Sequence, residues 1–386
     1  MGREIIYLNN GATSLIKPAC VYDAFLDAAK GLSNMGRGSS SLSIETMRRA
    51  LAAREALAAL FCIKSPLRIG FVKNATEALN AGIFGCLKTG DHVISTVGEH
   101  NSLLRPLMRV QDTRGVKVTL LPVDKDGRIF PDDFKKAIRK NTKMIAMSHV
   151  SNVTGNVFDI RAVGKIAREA GALFFLDAAQ SAGVKDIDVE RDNIDMMAFT
   201  AHKYLFAFQG LGGLYLREGV SMEPLILGGG SSGSFDVRPH LTMPELVEAG
   251  TQNMPGIAAL DASVRFILEN REAIAQKEDE LTRYFLLRIA EEKSLTVLGE
   301  PSAQNRAALF SLVSRRYSIL DLAAFLDENR GIETRLGGHC APLLHRHLGS
   351  EKTGTLRISL CYFNEKREID ALMEGIRAFT GACGSP

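Results

Sequence analysis

Short, continuous apolar runs alternate with segments of helical period through the first two-thirds of the chain. Residues 68–72, 92–96, 116–121, 144–150, 172–177, 195–200 and 212–216 have strand length and predict strands. Between several of them, residues 76–87, 101–113, 132–139 and 160–170 carry the spacing of helices. Strands that are apolar throughout, rather than alternating, belong to a sheet covered on both faces, so the pattern predicts a mostly parallel α/β sheet. Residues 44–61 predict an amphipathic helix before this block, 227–235 a loop after it, and 257–292 helix throughout. The last hundred residues change pattern. Strand-like runs at 308–313 and 355–360 and helices at 318–329 and 365–379 predict a smaller α+β domain beginning near residue 260.

In an open parallel sheet, ligands bind beyond the carboxyl ends of the strands, so residues that end strands are the first candidates. Asp177 closes one such run, and Gln180 follows in "DAAQ". Lys203 follows the next, in "FTAHKYLFAFQG". Neither a carboxylate nor an ammonium is readily buried without a partner. An acid and an amine facing one crevice meet the needs of pyridoxal phosphate. The amine forms a Schiff base with the aldehyde, and the carboxylate keeps the pyridine nitrogen protonated so that the ring accepts electrons. "GFVKNATEALN" runs strand, turn, helix and sets Ala75 and Thr76 at a helix N-terminus, where free N–H groups and the helix dipole favour a phosphate. Thr200 and His202, flanking Lys203, add donors. His100 ends "STVGEH", and its flat ring is suited to stacking. Taken singly, each residue has a plainer reading: Asp177 as a turn cap, Lys203 as a solvent-facing tail, Asn74 or Thr76 as a helix cap, His100 as a hydrogen-bonded ring.

"RLGGHCAPLLHRHLG" (335–349) holds a second constellation. Cys340 lies in a glycine-flanked polar segment, which predicts exposure, either as an inert loop thiol or as a nucleophile. His339, Cys340, His345 and His347 lack zinc-ligand spacing, so no metal is expected. Arg357, in "TLRISL", shares a strand face with Thr355 and Ser359 and is either a surface ion-pair partner or a fork for a carboxylate. "GGGSSG" (228–233) matches the dinucleotide fingerprint literally, but no helix pattern follows it.

Composition narrows the classes further. The net charge, 47 − 44 = +3, is too balanced to imply nucleic acid or an anionic membrane. Lys135, Lys136, Arg139 and Lys140 read as a solvated helix face. No apolar run approaches the roughly 18 residues of a membrane span, and "MGREIIYLNN" lacks the apolar stretch of a signal peptide. The six cysteines form no CxxC pair and read as reduced thiols of a cytoplasmic protein, most of them small buried hydrophobes.

Nine segments in order, "YLNNGAT", "KNATEALN", "EHNS", "SNVTGN", "DAAQSAG", "TAHKYL", "EAGTQN", "RLGGHCAP" and "LRISLCYFN", resemble the cysteine desulfurases, within the class V aminotransferase-like, fold-type I pyridoxal phosphate enzymes. The short "GGHCAPL" looks like their group II branch. The resemblance implies a large cofactor-binding domain at 16–258 and a smaller C-terminal one at 259–386 that includes the N-terminal segment 1–15. It implies that Lys203 is the Schiff-base lysine, Asp177 the pyridine-nitrogen partner, Gln180 the donor to the phenolic oxygen, and His100 the stacked, catalytic histidine. Ala75, Thr76, Thr200 and His202 then fall at the phosphate. Thr251 reaches the phosphate of a partner subunit, which implies a homodimer. Asn152, Arg335 and Arg357 contact the substrate carboxylate, Asn152 also the cofactor, and Cys340 receives sulfur. The implied reaction converts L-cysteine to L-alanine and leaves a persulfide on Cys340 for a sulfur-acceptor protein of iron–sulfur cluster assembly. His339 is the candidate to take the Cys340 proton. On the same fold the alternatives are a lyase for L-selenocysteine, or a cysteine or cystine C–S lyase that yields pyruvate. A non-catalytic binding protein and an NAD-linked dehydrogenase are more distant. The chain departs from the family at Arg37-Gly38-Ser39-Ser40, where many relatives read R-G-x-H, at Ala75, where a second threonine is common, and at "NNGAT", which lacks the usual aspartate. These departures bear on substrate choice.

Overall fold

The computed structural model of the protein describes residues 5–33, 40–230, 235–238 and 241–382. From the N-terminus the elements are β1 (Ile6–Tyr7), α1 (Ala19–Gly31), α2 (Ser41–Phe61), β2 (Ile69–Val72), α3 (Ala75–Cys86), β3 (His92–Thr96), α4 (Asn101–Arg114) and β4 (Lys117–Leu121). Then follow α5 (Pro131–Ala137), β5 (Thr142–Ser148), α6 (Ile160–Glu169), β6 (Leu173–Asp177), β7 (Met196–Thr200) and β8 (Gly212–Leu216). The C-terminal part holds α7 (Met254–Glu269), α8 (Arg271–Ile289), β9 (Leu295–Leu298), β10 (Leu309–Ser314), α9 (Ile319–Arg330) and β11 (Ile332–Glu333). It ends with β12 (Arg335–Gly337), α10 (Pro342–His347), β13 (Thr355–Ser359) and α11 (Lys366–Ala382).

Seven strands form one sheet in the order β2-β8-β7-β6-β5-β3-β4, and only β8 runs against the others. Successive side chains of a strand point to opposite faces, so Phe174 and Phe175 of β6 enter two different cores. One face packs Phe174 with Phe61, Ile145 and Phe199; the other packs Phe175 with Leu79, Leu107 and Met196. Burial on both faces is the reason the strands read as unbroken apolar runs. The direction of β8 has a simple cause. A parallel return needs a crossover of a dozen or more residues, whereas the connection at 201–211 contains no helix. The chain therefore doubles back at the carboxyl edge of the sheet, and His202 and Lys203 lie in that turn.

A four-stranded antiparallel sheet, β12-β13-β10-β9, carries a third core in which Phe285 stacks on Phe310 with centroids 4.0 Å apart. β1 pairs in parallel with β11, Ile6 opposite Ile332, so the N-terminal segment is anchored among C-terminal elements. From there Asn10 reaches Ser359 O and Asn364 Oδ1 at 3.1 and 3.0 Å.

Several expectations need correction. Residues 257–292 are two helices rather than one: α7 starts at Met254 and the chain breaks at Asn270 (φ −113°, ψ 16°). α5 ends at Ala137, so Arg139 and Lys140 lie beyond it, although both are exposed. α1 was not among the expected elements; it buries Val21 and Ala28, seven residues apart on one face. Of the five described cysteines, Cys20, Cys62 and Cys340 are exposed and only Cys86 and Cys361 are buried, against the expected majority of buried thiols. Arg37, Gly38 and Ser39 lie outside the described residues; Ser40 caps α2, its side chain accepting from Ser43 N. "GGGSSG" lies partly outside them, and no helix follows before Met254 among the described residues.

Gly212 lets the edge of the sheet meet α3. A Cβ there would lie 2.8 Å from the backbone of Asn74 and 2.6 Å from Phe199 O. Gly→Ala at a compatible site stabilises by about 0.4–1 kcal/mol. Gly212→Ala is expected to have the opposite sign, costing about 1–3 kcal/mol through overpacking and displacing the α3 N-terminus. Denaturant unfolding checks the first effect, and faster amide hydrogen exchange in the first turn of α3 checks the second.

Candidate active site

The carboxyl ends of β5, β6 and β7 and the N-termini of α3 and α4 enclose a cleft of about 620 Å³, its open mouth included. Asp177 and Thr200 end their strands on its floor, and both are buried. Asp177 Oδ1 accepts from Ala179 N–H at 2.9 Å. Burial raises its pKa, against that hydrogen bond and the field of Lys203. Lys203 is half-buried in the same cleft, and desolvation pushes its amine down to about 8 while Asp177 pulls it up. The amine is therefore partly neutral near physiological pH, as a carbonyl-trapping lysine requires. It is not a solvent tail.

At the other end, Asn74 caps α3, its side chain accepting from Glu77 N at 3.0 Å. The N–H groups of Ala75 and Thr76 stand in the first turn, where an α-helix leaves donors without intrahelical partners. Thr200 Oγ1 and His202 Nδ1 are buried without a hydrogen-bond partner. Buried polar atoms are rarely left so. Burial and Lys203 push His202 down to about 4, so its ring is neutral. These orphaned atoms, the helix N-terminus, the amine and the unneutralised carboxylate fit pyridoxal phosphate: an anion at Ala75, Thr76, Thr200 and His202, a carbonyl at Lys203, and a cationic ring nitrogen at Asp177.

His100 is the N-cap of α4, its Nδ1 accepting from Ser102 N–H at 3.0 Å. The proton of the neutral ring is thus on Nε2. Burial, then the positive field of Lys203 and the arginines, pushes its pKa to about 3. Gln180 Nε2 donates to Gly11 O at 3.0 Å, and its Oε1 is buried without a partner. Its amide is anchored by the N-terminal segment, so one N–H of Nε2 remains for a ligand oxygen.

The small sheet lies behind this cleft and touches it through Asn152, although neither Arg335 nor Arg357 lines it. Arg335 and Arg357 are directly opposite on β12 and β13. Like charges so placed repel. Arg357 is only 1% exposed; Nη1 donates to Asn152 O at 3.0 Å, but Nε and Nη2 have no partner. Burial and Arg335 bring its pKa to about 10. A guanidinium that is buried, half-satisfied and faced by a second one calls for a carboxylate. Asn152, buried after β5, donates from Nδ2 to His339 O at 2.6 Å. Asn101 N–H, at the start of α4, donates to Cys340 O at 2.7 Å. Two hydrogen bonds thus pin the cysteine segment, although His339 (φ 44°) and Cys340 (φ 59°) both adopt left-handed backbone, at on the order of 1–3 kcal/mol each.

Cys340 is exposed as expected, yet it lines an adjoining outer cleft rather than the inner one. No hydrogen bond joins the His339 ring to Cys340 among the described residues. His339 is buried with Nε2 bound to Thr355 Oγ1 at 2.8 Å, and burial with Arg357 pushes it to about 2. His345 is bound to Ser350 Oγ, and no group of three metal-ligating side chains occurs among the described residues. Thr251 does not join the cleft of its own chain. It borders a separate pocket with Met47 and Leu51, on a segment tied to α2 by the buried Arg54–Glu248 ion pair.

Glu99 was not anticipated. It is buried beside His100, accepting from Thr96 Oγ1 at 2.6 Å and from Ser148 N and Oγ at 2.8 and 2.7 Å. Desolvation still raises it to about 7. Its signal was available, an acid just past a buried strand, as with Asp177. Ser148, whose register partner on β6 is Asp177, joins the same floor.

A fold of this kind, with a lysine and a carboxylate at the edge of one sheet, is shared with known enzymes. A family model for class-V aminotransferases matches residues 6–372. A probable cysteine desulfurase of Methanothermobacter thermautotrophicus is 33% identical over 98% of this chain and 96% of its own length. A cysteine desulfurase of an Enterobacter species is 30% identical over 97% and 93%. Among solved structures, the apo cysteine desulfurase of Thermococcus onnurineus matches with a TM-score of 0.92 at 31% identity, over 98% of this chain and 95% of that one. The Escherichia coli cysteine desulfurase CsdA, in an S-sulfonic acid form, matches at 0.87 and 28% over the same shares. The chain belongs to the aminotransferase class-V family and, within it, groups with the cysteine desulfurases.

The Lys203 shift has a measurable sign. Only the neutral amine attacks an aldehyde, so capture of pyridoxal phosphate by the cofactor-free chain should accelerate about tenfold per pH unit below pH 8 and level off above it. Asp177→Asn should move the inflection to lower pH, because Asp177 is the largest influence raising the amine. Stopped-flow absorbance across pH 6–10 measures both.

Proposed function

We propose that the chain is a pyridoxal phosphate-dependent cysteine desulfurase, converting L-cysteine to L-alanine with the sulfur left as a persulfide on Cys340. The observation that carries this reading is the double clamp, Asn152 to His339 O and Asn101 to Cys340 O, which ties the backbone of an exposed cysteine to the residue after His100 and to the residue bound to Arg357. A thiol held there at the expense of backbone strain is set for a reaction.

The side chains divide the work. Arg357, with Arg335 opposite, receives the substrate carboxylate through its unpaired N–H groups, and that anion removes the repulsion between them. Lys203, titrating near 8, takes the Cα proton and later returns one. The bound cofactor supplies the electron sink, its ring kept cationic by Asp177. The Cys340 thiolate attacks the sulfur of the substrate. The new S–S bond forms as the substrate C–S bond breaks, and the bonding pair passes to the substrate carbon, which ends protonated as the alanine methyl. L-cysteine and one enzyme thiol give L-alanine and one enzyme persulfide.

Exposed Met47 and Leu51, one turn apart on α2, together with exposed Leu67, form an apolar patch beside Thr251 and support a homodimer in which Thr251 reaches the other subunit. The unpaired thiols support a reducing, cytoplasmic setting, and transfer to an acceptor protein for iron–sulfur assembly fits the exposure of Cys340.

After L-cysteine is added, mass spectrometry should find one extra sulfur on the peptide holding Cys340, and borohydride should fix a pyridoxyl group on Lys203. Cys340→Ala should lower alanine formation by about 100-fold or more, a loss of about 2.7 kcal/mol in transition-state stabilisation. Sustained pyruvate production by that variant would identify a C–S lyase instead.

A further inference from the structure

The outer cleft shares Thr76, His100 and Ser102 with the inner one, so the two meet at the stacking histidine. Beyond that junction it is lined by Cys340, Asn80, Phe84, Arg105 and Arg109, with no carboxylate in its wall. Arg105 and Arg109 are exposed, and among the described residues neither forms an ion pair. The nearest acids in sequence are Glu99, buried and bound to Thr96 and Ser148, and Asp112, three residues past Arg109 on α4; among the described residues neither forms an ion pair with either guanidinium. Residues four apart on a helix lie about 6 Å apart on one face. Asn101, whose N–H holds Cys340 O, begins a row that continues through Arg105 to Arg109.

A persulfide on Cys340 has to be unloaded by a second thiol, and the inner cleft is taken up by cofactor and substrate. The free approach is along the outer cleft and this row. In an extended peptide, residues i, i+2 and i+4 face one side at about 7 Å intervals. That spacing nearly matches the row on α4. Resting on the persulfide reading above, we propose that Arg105 and Arg109 dock an extended, acidic polypeptide segment whose cysteine, two and four residues from carboxylates, takes sulfur from Cys340. The acceptor thiolate attacks the outer sulfur of the persulfide. The S–S bond to Cys340 breaks, Cys340 departs as a thiolate, and the acceptor carries the persulfide away with no change in the total count of electrons.

The test uses the holoenzyme preloaded with one persulfide, so that the loading rate does not enter. Two nine-residue peptides have a central cysteine, with glutamates or lysines two and four residues to either side and serines elsewhere. At low salt and equal thiolate concentration, the glutamate peptide should discharge the persulfide at least about tenfold faster than the lysine peptide, and added salt should erode that preference. Arg105→Gln with Arg109→Gln should abolish it. The same glutamate peptide with serine for cysteine should bind the unloaded wild-type enzyme by fluorescence anisotropy and bind the double variant at least about tenfold more weakly. Charge-blind discharge, or a preference that survives in the double variant, overturns the proposal. Failure to load any persulfide overturns the desulfurase reading instead, and anisotropy still decides whether the two arginines bind the acidic segment.

Discussion

Ionisable groups held out of water where two sheets meet are the constraint on which the site depends. Desolvating a charge costs several kcal/mol unless a partner meets it, and here the chain meets only part of that cost. Asp177 has one N–H and the field of Lys203; Lys203 has Asp177 and two unfavourable arginines; Arg357 has one carbonyl and a second guanidinium opposite. Each group is left wanting a specific complement: a cation, a carbonyl carbon, a carboxylate. The pattern of unmet needs describes a cofactor and an amino acid more closely than any single residue does.

The fold holds these groups in place through topology. Reversal of β8 without a crossover helix forces the 201–211 turn onto the carboxyl edge, beside the ends of β5 and β6. Gly212 admits the Asn74 backbone and brings the α3 N-terminus to the same edge. The antiparallel sheet then sets Arg335, Arg357 and the cysteine segment beside the cleft, joined to it through Asn152 and Asn101. Asn152 joins the two sheets chemically, giving its carbonyl to Arg357 and its amide N–H to His339 O. The polar chemistry is thus concentrated where the two sheets meet.

Strand ends were the informative places in the sequence. Asp177, Thr200 and the His202–Lys203 turn follow apolar runs whose lengths mark them as buried strands, and the structure gathers all of them. The Asn74–Thr76 turn was legible for the same reason, since strand–turn–helix signals a free helix N-terminus. The break at Asn270 was not legible, because residues to either side both have helical spacing. Helix α1, which buries only Val21 and Ala28 of its thirteen residues, was not among the elements read from the sequence. His339 illustrates a different failure: adjacency to Cys340 suggested a base, while its actual partner is Thr355, sixteen positions along the chain.

By itself the amino-acid sequence determined the covered parallel sheet, the order of its strands along the chain and the side chains capable of chemistry, because these follow from local periodicity and from which residue types tolerate burial. Tertiary structure alone decided which of those side chains meet. Arg335 faces Arg357 through strand register, Cys340 lies on the outer side of His100 through two long-range hydrogen bonds, and Thr251 faces away from its own cleft because a buried ion pair ties its segment to α2. Register, burial depth and the direction of a turn arise from the packing of distant segments against one another, and no local stretch of sequence encodes them.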